Sequence, residues 1–197
     1  MKLVKKLIAA AALVGASLSA NAALITIDDI DGGVAGFTAT GTGFTFENFD
    51  ALIDGNFSTR IATERFNGMG AGIVAGEMVV IEANFNNLFT VDSFGIAQDW
   101  GRRFNQQIEA LTLVLFSEDG DVRFDVTGLA TDTFDVHNLF SGNVENVSGF
   151  ALEITSLQAR EFEIRELVIS ATANPVNAPL MGALTLLACG MILRRRK

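Results

Sequence analysis

The residues Leu52-Ile53-Asp54-Gly55-Asn56-Phe57-Ser58-Thr59 gather carboxylate, amide and hydroxyl oxygens around a glycine. Calcium takes roughly six to eight oxygen ligands, and a glycine-containing turn adds backbone carbonyls to those its side chains supply. A second carboxylate stands in the last apolar run. On a period of two, Phe162, Ile164, Glu166 and Val168 share one strand face, which places an acid among three residues suited to a core. A buried charge must be paired or metal-bound. The alternative is an edge glutamate in solvent, or one paired with an arginine such as Arg165 or Arg60.

A different chemistry is offered by Gln98-Asp99-Trp100-Gly101-Arg102-Arg103-Phe104-Asn105, which follows an apolar run and holds the only tryptophan. Sugar sites combine an apolar ring face, which covers C–H groups, with planar polar side chains that pair with hydroxyls. Asp99, Trp100, Arg102 and Arg103 are therefore the candidate ligand contacts. The competing reading is a tryptophan lid on the core with salt-bridged arginines.

Other candidates are weaker. His137 is the only histidine, so a multi-histidine zinc site is excluded, and it reads as an ordinary loop residue. Gly68-Met69-Gly70-Ala71-Gly72 is not followed by the Lys-Ser/Thr of a phosphate loop and reads as a flexible surface loop. Asp28-Asp29 and Asp31-Gly32 suit a second calcium or plain acidic turns. No nucleophile has a visible base partner and no convergent carboxylate pair can be located, which argues against an enzyme.

The elements that must position these groups are strands. A chain of 197 residues, 49% hydrophobic, supports one folded domain. Val122, Phe124 and Val126 alternate with Asp121, Arg123 and Asp125, and Phe150, Leu152 and Ile154 repeat the pattern. The run from Leu111 to Phe116 is apolar apart from Thr112, and Ser117-Glu118-Asp119-Gly120 turns it into Val122 as a hairpin. Further strands are expected over 24–28, 44–49, 78–83, 91–97, 133–136 and 162–169. About nine short strands, with no long amphipathic helix, predict an all-β single sandwich or jelly roll.

The order of the Asp54 turn, the runs 91–99, 111–121 and 150–154, and Ile164-Arg165-Glu166-Leu167-Val168-Ile169 resembles a discoidin-like, galactose-binding-like jelly roll over roughly residues 45 to 170. That resemblance implies a structural Ca²⁺ site closed by Asp54, Asn56 and Thr59 of the turn and Glu166 of the last strand. The tryptophan that members often carry after the threonine is replaced by Arg60-Ile61.

The chain's ends read as addresses. Lys2, Lys5 and Lys6 precede an apolar run to Leu18, and Ala20-Asn21-Ala22 offers small residues for cleavage between Ala22 and Ala23. At the far end Pro175-Val176-Asn177-Ala178-Pro179 precedes an apolar stretch, which is short for a membrane span, and Arg194-Arg195-Arg196-Lys197. This tail resembles the PEP-CTERM sorting signal of Gram-negative bacteria, with Asn177-Ala178-Pro179 where Pro-Glu-Pro is usual. The resemblance implies an exosortase-type processing enzyme as partner, a transient inner-membrane anchor, and an extracellular matrix of exopolysaccharide as destination. A plain C-terminal anchor is the alternative. The expected organisation is a signal helix over 1–22, the exported domain over 23–172 and a hydrophobic sorting helix within 173–197.

Residues 23–172 hold seven arginines, no lysine and 23 acids, a net charge of −16, which excludes nucleic acid as a partner. The only cysteine, Cys189, lies in the tail, so no disulfide staples the domain. Three function classes remain: a non-catalytic surface or matrix module that binds polysaccharide, a structural surface protein that self-associates, and, least favoured, a polysaccharide-active enzyme.

Overall fold

Two strands too long for one sheet organise the molecule. The computed structural model describes residues 22–55, 65–70, 72–98, 106–131 and 135–174. Nine strands lie among them: β1 (Ala23–Leu24), β2 (Thr38–Thr40), β3 (Thr45–Glu47), β4 (Phe66–Met69), β5 (Val79–Gln98), β6 (Ile108–Ser117), β7 (Val122–Thr127), β8 (Asp135–Leu157) and β9 (Glu161–Ala173). The first half of β5 pairs with β2 and with the second half of β8, which continues to β6 and β7. The second half of β5 lies between β9 and the first half of β8, and β9 continues to β4 and β3. Each long strand thus turns a corner and serves both layers of a β-sandwich.

The corners have local causes. In β5 the ladder to β8 breaks between Asn84 and Phe89, where Asn86 donates its amide to Asp28 O at 2.6 Å. In β8, Asn146 adopts a left-handed φ of 55°. The expected strands over 78–83 and 91–97 therefore fall in one strand, β5, and Asp135 and Val136 of the run expected over 133–136 fall with 150–154 in another, β8, residues 133 and 134 lying outside the described residues. The polar residues of the corners read as loops in sequence. The run over 24–28 shrinks to β1, because Asp29 accepts from Thr26 N–H and Thr26 Oγ1, both at 2.9 Å, and turns the chain into a 3₁₀ turn.

Phenylalanines fill the space between the layers. Phe150 of β8 packs edge-on against Phe94 of β5 with centroids 5.0 Å apart, and Phe37 and Phe85 complete that cluster. A second group joins Phe46, Phe49, Phe66 and Phe162 around β4. Gly68, expected in a surface loop, lies in β4 directly opposite Phe162. A Cβ at Gly68 would lie 2.3 Å from Cε1 of that buried ring. Only glycine leaves room for the phenyl to lie across the strand, and the glycine-rich composition hid that role. Gly68→Ala should cost about 1–3 kcal/mol through overpacking; an unchanged urea midpoint would refute this contact.

The last strand departs from a strict period of two. Ala97 pairs with Glu166 but Gln98 pairs with Ile164, so Arg165 is an extra residue, a bulge. Phe162 and Ile164 face the core before it; Leu167, Ile169 and Ala171 do so after it. Glu166 therefore sits on the opposite face from that expected, sharing it with Ala97 and Val168.

The strands begin at Ala23 and end at Ala173, with Ala23 opposite Ala171. Among the described residues no helix is long and apolar enough to cross a membrane. The expected signal and sorting helices, with Asn177, Ala178 and Pro179, lie outside the described residues.

Candidate functional site

Glu166 and the Asp54 turn meet although 111 residues separate Gly55 from Glu166. Gly55 has a left-handed φ of 74°, and its N–H donates to the two Glu166 carboxylate oxygens at 3.1 and 3.3 Å. The carboxylate is held where it is only 4% exposed. The strand pairing explains the opening in front of it. β4 covers the outer edge of β9 as far as Ile164 and β1 covers it from Ser170, while the 3₁₀ turn carries the chain away between them. A cavity of 370 Å³ remains, lined by Asp54, Gly55 and Glu166 and by apolar walls that include Leu24, Ile27, Ile53 and Val168.

Two carboxylates on one cavity are hard oxygen donors and fit Ca²⁺. No group of three or more His, Cys, Asp or Glu side chains is placed to hold a metal among the described residues. Further ligands would have to come from the turn, where Asn56 and Thr59 lie outside the described residues. In the other acidic turn, Asp29 is occupied in capping Thr26.

The second candidate, Asp99, Trp100, Arg102 and Arg103, also lies outside the described residues, but both ends of its loop are defined. Gln98 continues the core face of Phe94 and Ile96 and is fully buried. Its Oε1 accepts from Ile108 N–H at 2.7 Å, and its Nε2 donates to Ile108 O at 3.3 Å and Leu129 O at 3.2 Å. At the other end Gln107 is buried and accepts from Thr131 N–H at 2.7 Å. Gln106 donates to Glu161 at 2.8 Å, and its carbonyl accepts from Glu163 N–H. Three glutamines thus fix the two stems from which the segment 99–105 departs and returns. Sequence reasoning missed them. The available signal was Gln98 itself, a polar residue on a period otherwise filled by Phe94 and Ile96.

The stem residue Gln98 and the Glu166 site share one end of the sandwich, because Gln98 and Ala97 pair with Ile164 and Glu166. His137 is a strand residue of β8 opposite Ile96, not the loop histidine expected. Its Nε2 is buried without a hydrogen-bond partner among the described residues.

No protein-family model and no curated protein sequence matches the chain. Solved structures do match its fold. The chain is similar to the lectin-binding domain of lectinolysin, in a variant complexed with Lewis b, with a TM-score of 0.51 and 10% identity over 70% of this chain and 94% of that one. It is equally similar to an F5/8 type C domain from Bacteroides fragilis, with a TM-score of 0.50 and 10% identity over 78% of this chain and 99% of that one. The architecture is therefore that of the galactose-binding-like β-sandwich.

Proposed function

We propose that the chain is an exported, non-catalytic module that binds carbohydrate at the end of the sandwich carrying the Trp100 loop, in an extracellular matrix of exopolysaccharide. The observation that carries this reading is the glutamine-fixed base of that loop. A rigid stem presenting one aromatic and two guanidinium groups suits a polyhydroxylated ligand, since less ordering is needed on binding. The likeness to a lectin domain complexed with Lewis b supports the same class of ligand. A glycan array tests it: Trp100→Ala should retain the wild-type melting temperature and lose about tenfold or more in affinity for any glycan the wild type binds. Retained affinity would remove Trp100 from the site, and unfolding of the variant would assign it to the core.

Calcium is proposed as a staple between the Asp54 turn and Glu166, with Asn56 and Thr59 completing the donors. A domain without disulfides gains from such a tie across its ends. Ion binding to the folded state alone adds about 2.7 kcal/mol at a hundredfold excess over the dissociation constant. Chelation should lower the melting temperature of the wild type and leave Glu166→Gln nearly unaffected; identical wild-type melts with and without chelator would remove the ion.

The termini are proposed as processing signals. Cleavage between Ala22 and Ala23, and removal of the tail after the Asn177-Ala178-Pro179 junction by an exosortase-type enzyme, would follow a transient stay in the inner membrane and release the module to the cell surface. Intact-mass spectrometry of the protein from its own cells should show a start near Ala23 and no Arg194–Lys197 cluster. Recovery of Lys197 in the surface fraction would contradict the tail's removal.

A further inference from the structure

A second polar recess lies below the C-terminal stem of the Trp100 loop, on the outer face of β4 and β9. Alternation along β4 sends Arg65, Asn67 and Met69 to this face, opposite Glu163 and Glu161 of β9, and Gln106 closes the side nearest the loop. The recess measures 190 Å³. Its walls are built rather than loose. Arg65 reaches Glu163 at 2.8 Å, and Gln106 holds Glu161 at 2.8 Å, so a guanidinium and two carboxylates have set orientations. In their midst Asn67 contributes a side-chain amide, a group with two donors and an acceptor suited to hydroxyls. Met69, 39% exposed, supplies an apolar surface beside them.

We infer that this recess is a second sugar subsite, holding one neutral hexopyranose ring. The inference rests on the carbohydrate-binding reading and names a site on the strands that the loop alone does not predict. Planar amide and carboxylate groups pair with vicinal hydroxyls, and the thioether covers ring C–H groups. The volume admits a single ring. Charge selects among sugars. Two carboxylates against one guanidinium, in a domain of net charge −16, disfavour uronic acids.

The test is an amide-resolved NMR titration of the full chain with the neutral methyl glycosides of glucose, galactose and mannose, and with glucuronate as the anionic control. Saturable shifts of the Asn67 and Gln106 side-chain amides with a neutral glycoside and not with glucuronate are expected. Asn67→Ala should weaken binding of that glycoside about tenfold without lowering the melting temperature. Glu161→Gln, which preserves shape, should weaken it as well and so guards against a folding defect in the first variant. Should the Trp100 loop respond to sugar while Asn67 and Gln106 stay unmoved and Asn67→Ala binds as the wild type does, the subsite is overturned and the module reading stands. Should no sugar move either region, and the array find no ligand, the module reading falls and the subsite with it.

Discussion

Phe150→Ala is expected to remove about 3–5 kcal/mol of stability. Phe150 is fully buried and lies where β8 leaves its corner, paired with Ala83 of β5 and Leu115 of β6. Its ring touches Phe37, Phe85 and Phe94, with centroid distances from 5.0 to 6.4 Å. Truncation empties the contact between both layers at the point where the long strands cross over, and backbone ladders on either side limit collapse into the void. With total stability of about 5–15 kcal/mol for a domain of this kind, the loss is a large share. Urea denaturation checks it. Phe140 provides the contrast: only half-buried on the first half of β8, it stacks on Phe124 of the edge strand β7, and its truncation should cost clearly less. Equal losses at the two positions would refute the central place given to Phe150.

Gln98→Leu should be destabilising and should also damage ligand binding. The substitution nearly conserves volume but strands Ile108 N–H, Ile108 C=O and Leu129 C=O away from water. Each buried group left unpaired costs about 1–3 kcal/mol. The damage falls on the stem of the Trp100 loop, so glycan affinity should decline even at temperatures where the domain remains folded. A variant that melts lower and binds as tightly as the wild type would show that the stem does not position the loop. Gln98→Glu adds a finer check, because it keeps one acceptor for Ile108 N–H and replaces the donor, facing two carbonyls with a carboxylate.

Where one face was wet, the strands were legible. Val122, Phe124 and Val126 alternate as an edge strand must, and the Ser117–Gly120 turn produced its hairpin, with Gly120 N–H donating to Ser117 O at 3.0 Å. Strands buried on both faces carry no such marker. In β9, residues Phe162 to Leu167 are all buried, and the bulge at Arg165 shows in sequence only as the consecutive charged pair Arg165-Glu166, where the phase of Phe162 and Ile164 gives way to that of Leu167 and Ile169. β4 escaped notice because its Gly68 reads as a loop residue until the ring of Phe162 is known to lie across it. The candidate site was half legible. Asp54 and Glu166 stand out as oxygen donors, and the fold brings Gly55 of that turn onto Glu166. The glutamine stem and the Asn67 recess depend on pairings between distant segments, which no local pattern records.

The chain offers an unusually direct probe of its proposed function, because Trp100 is its only tryptophan and it has no tyrosine. Intrinsic fluorescence excited at the indole band therefore reports on Trp100 alone. Titration of the purified protein with a glycan selected by the array should give a saturable change in intensity and emission wavelength, with the same midpoint as binding measured by calorimetry. Calorimetric binding with an unchanged indole spectrum would contradict a ligand site at the Trp100 loop.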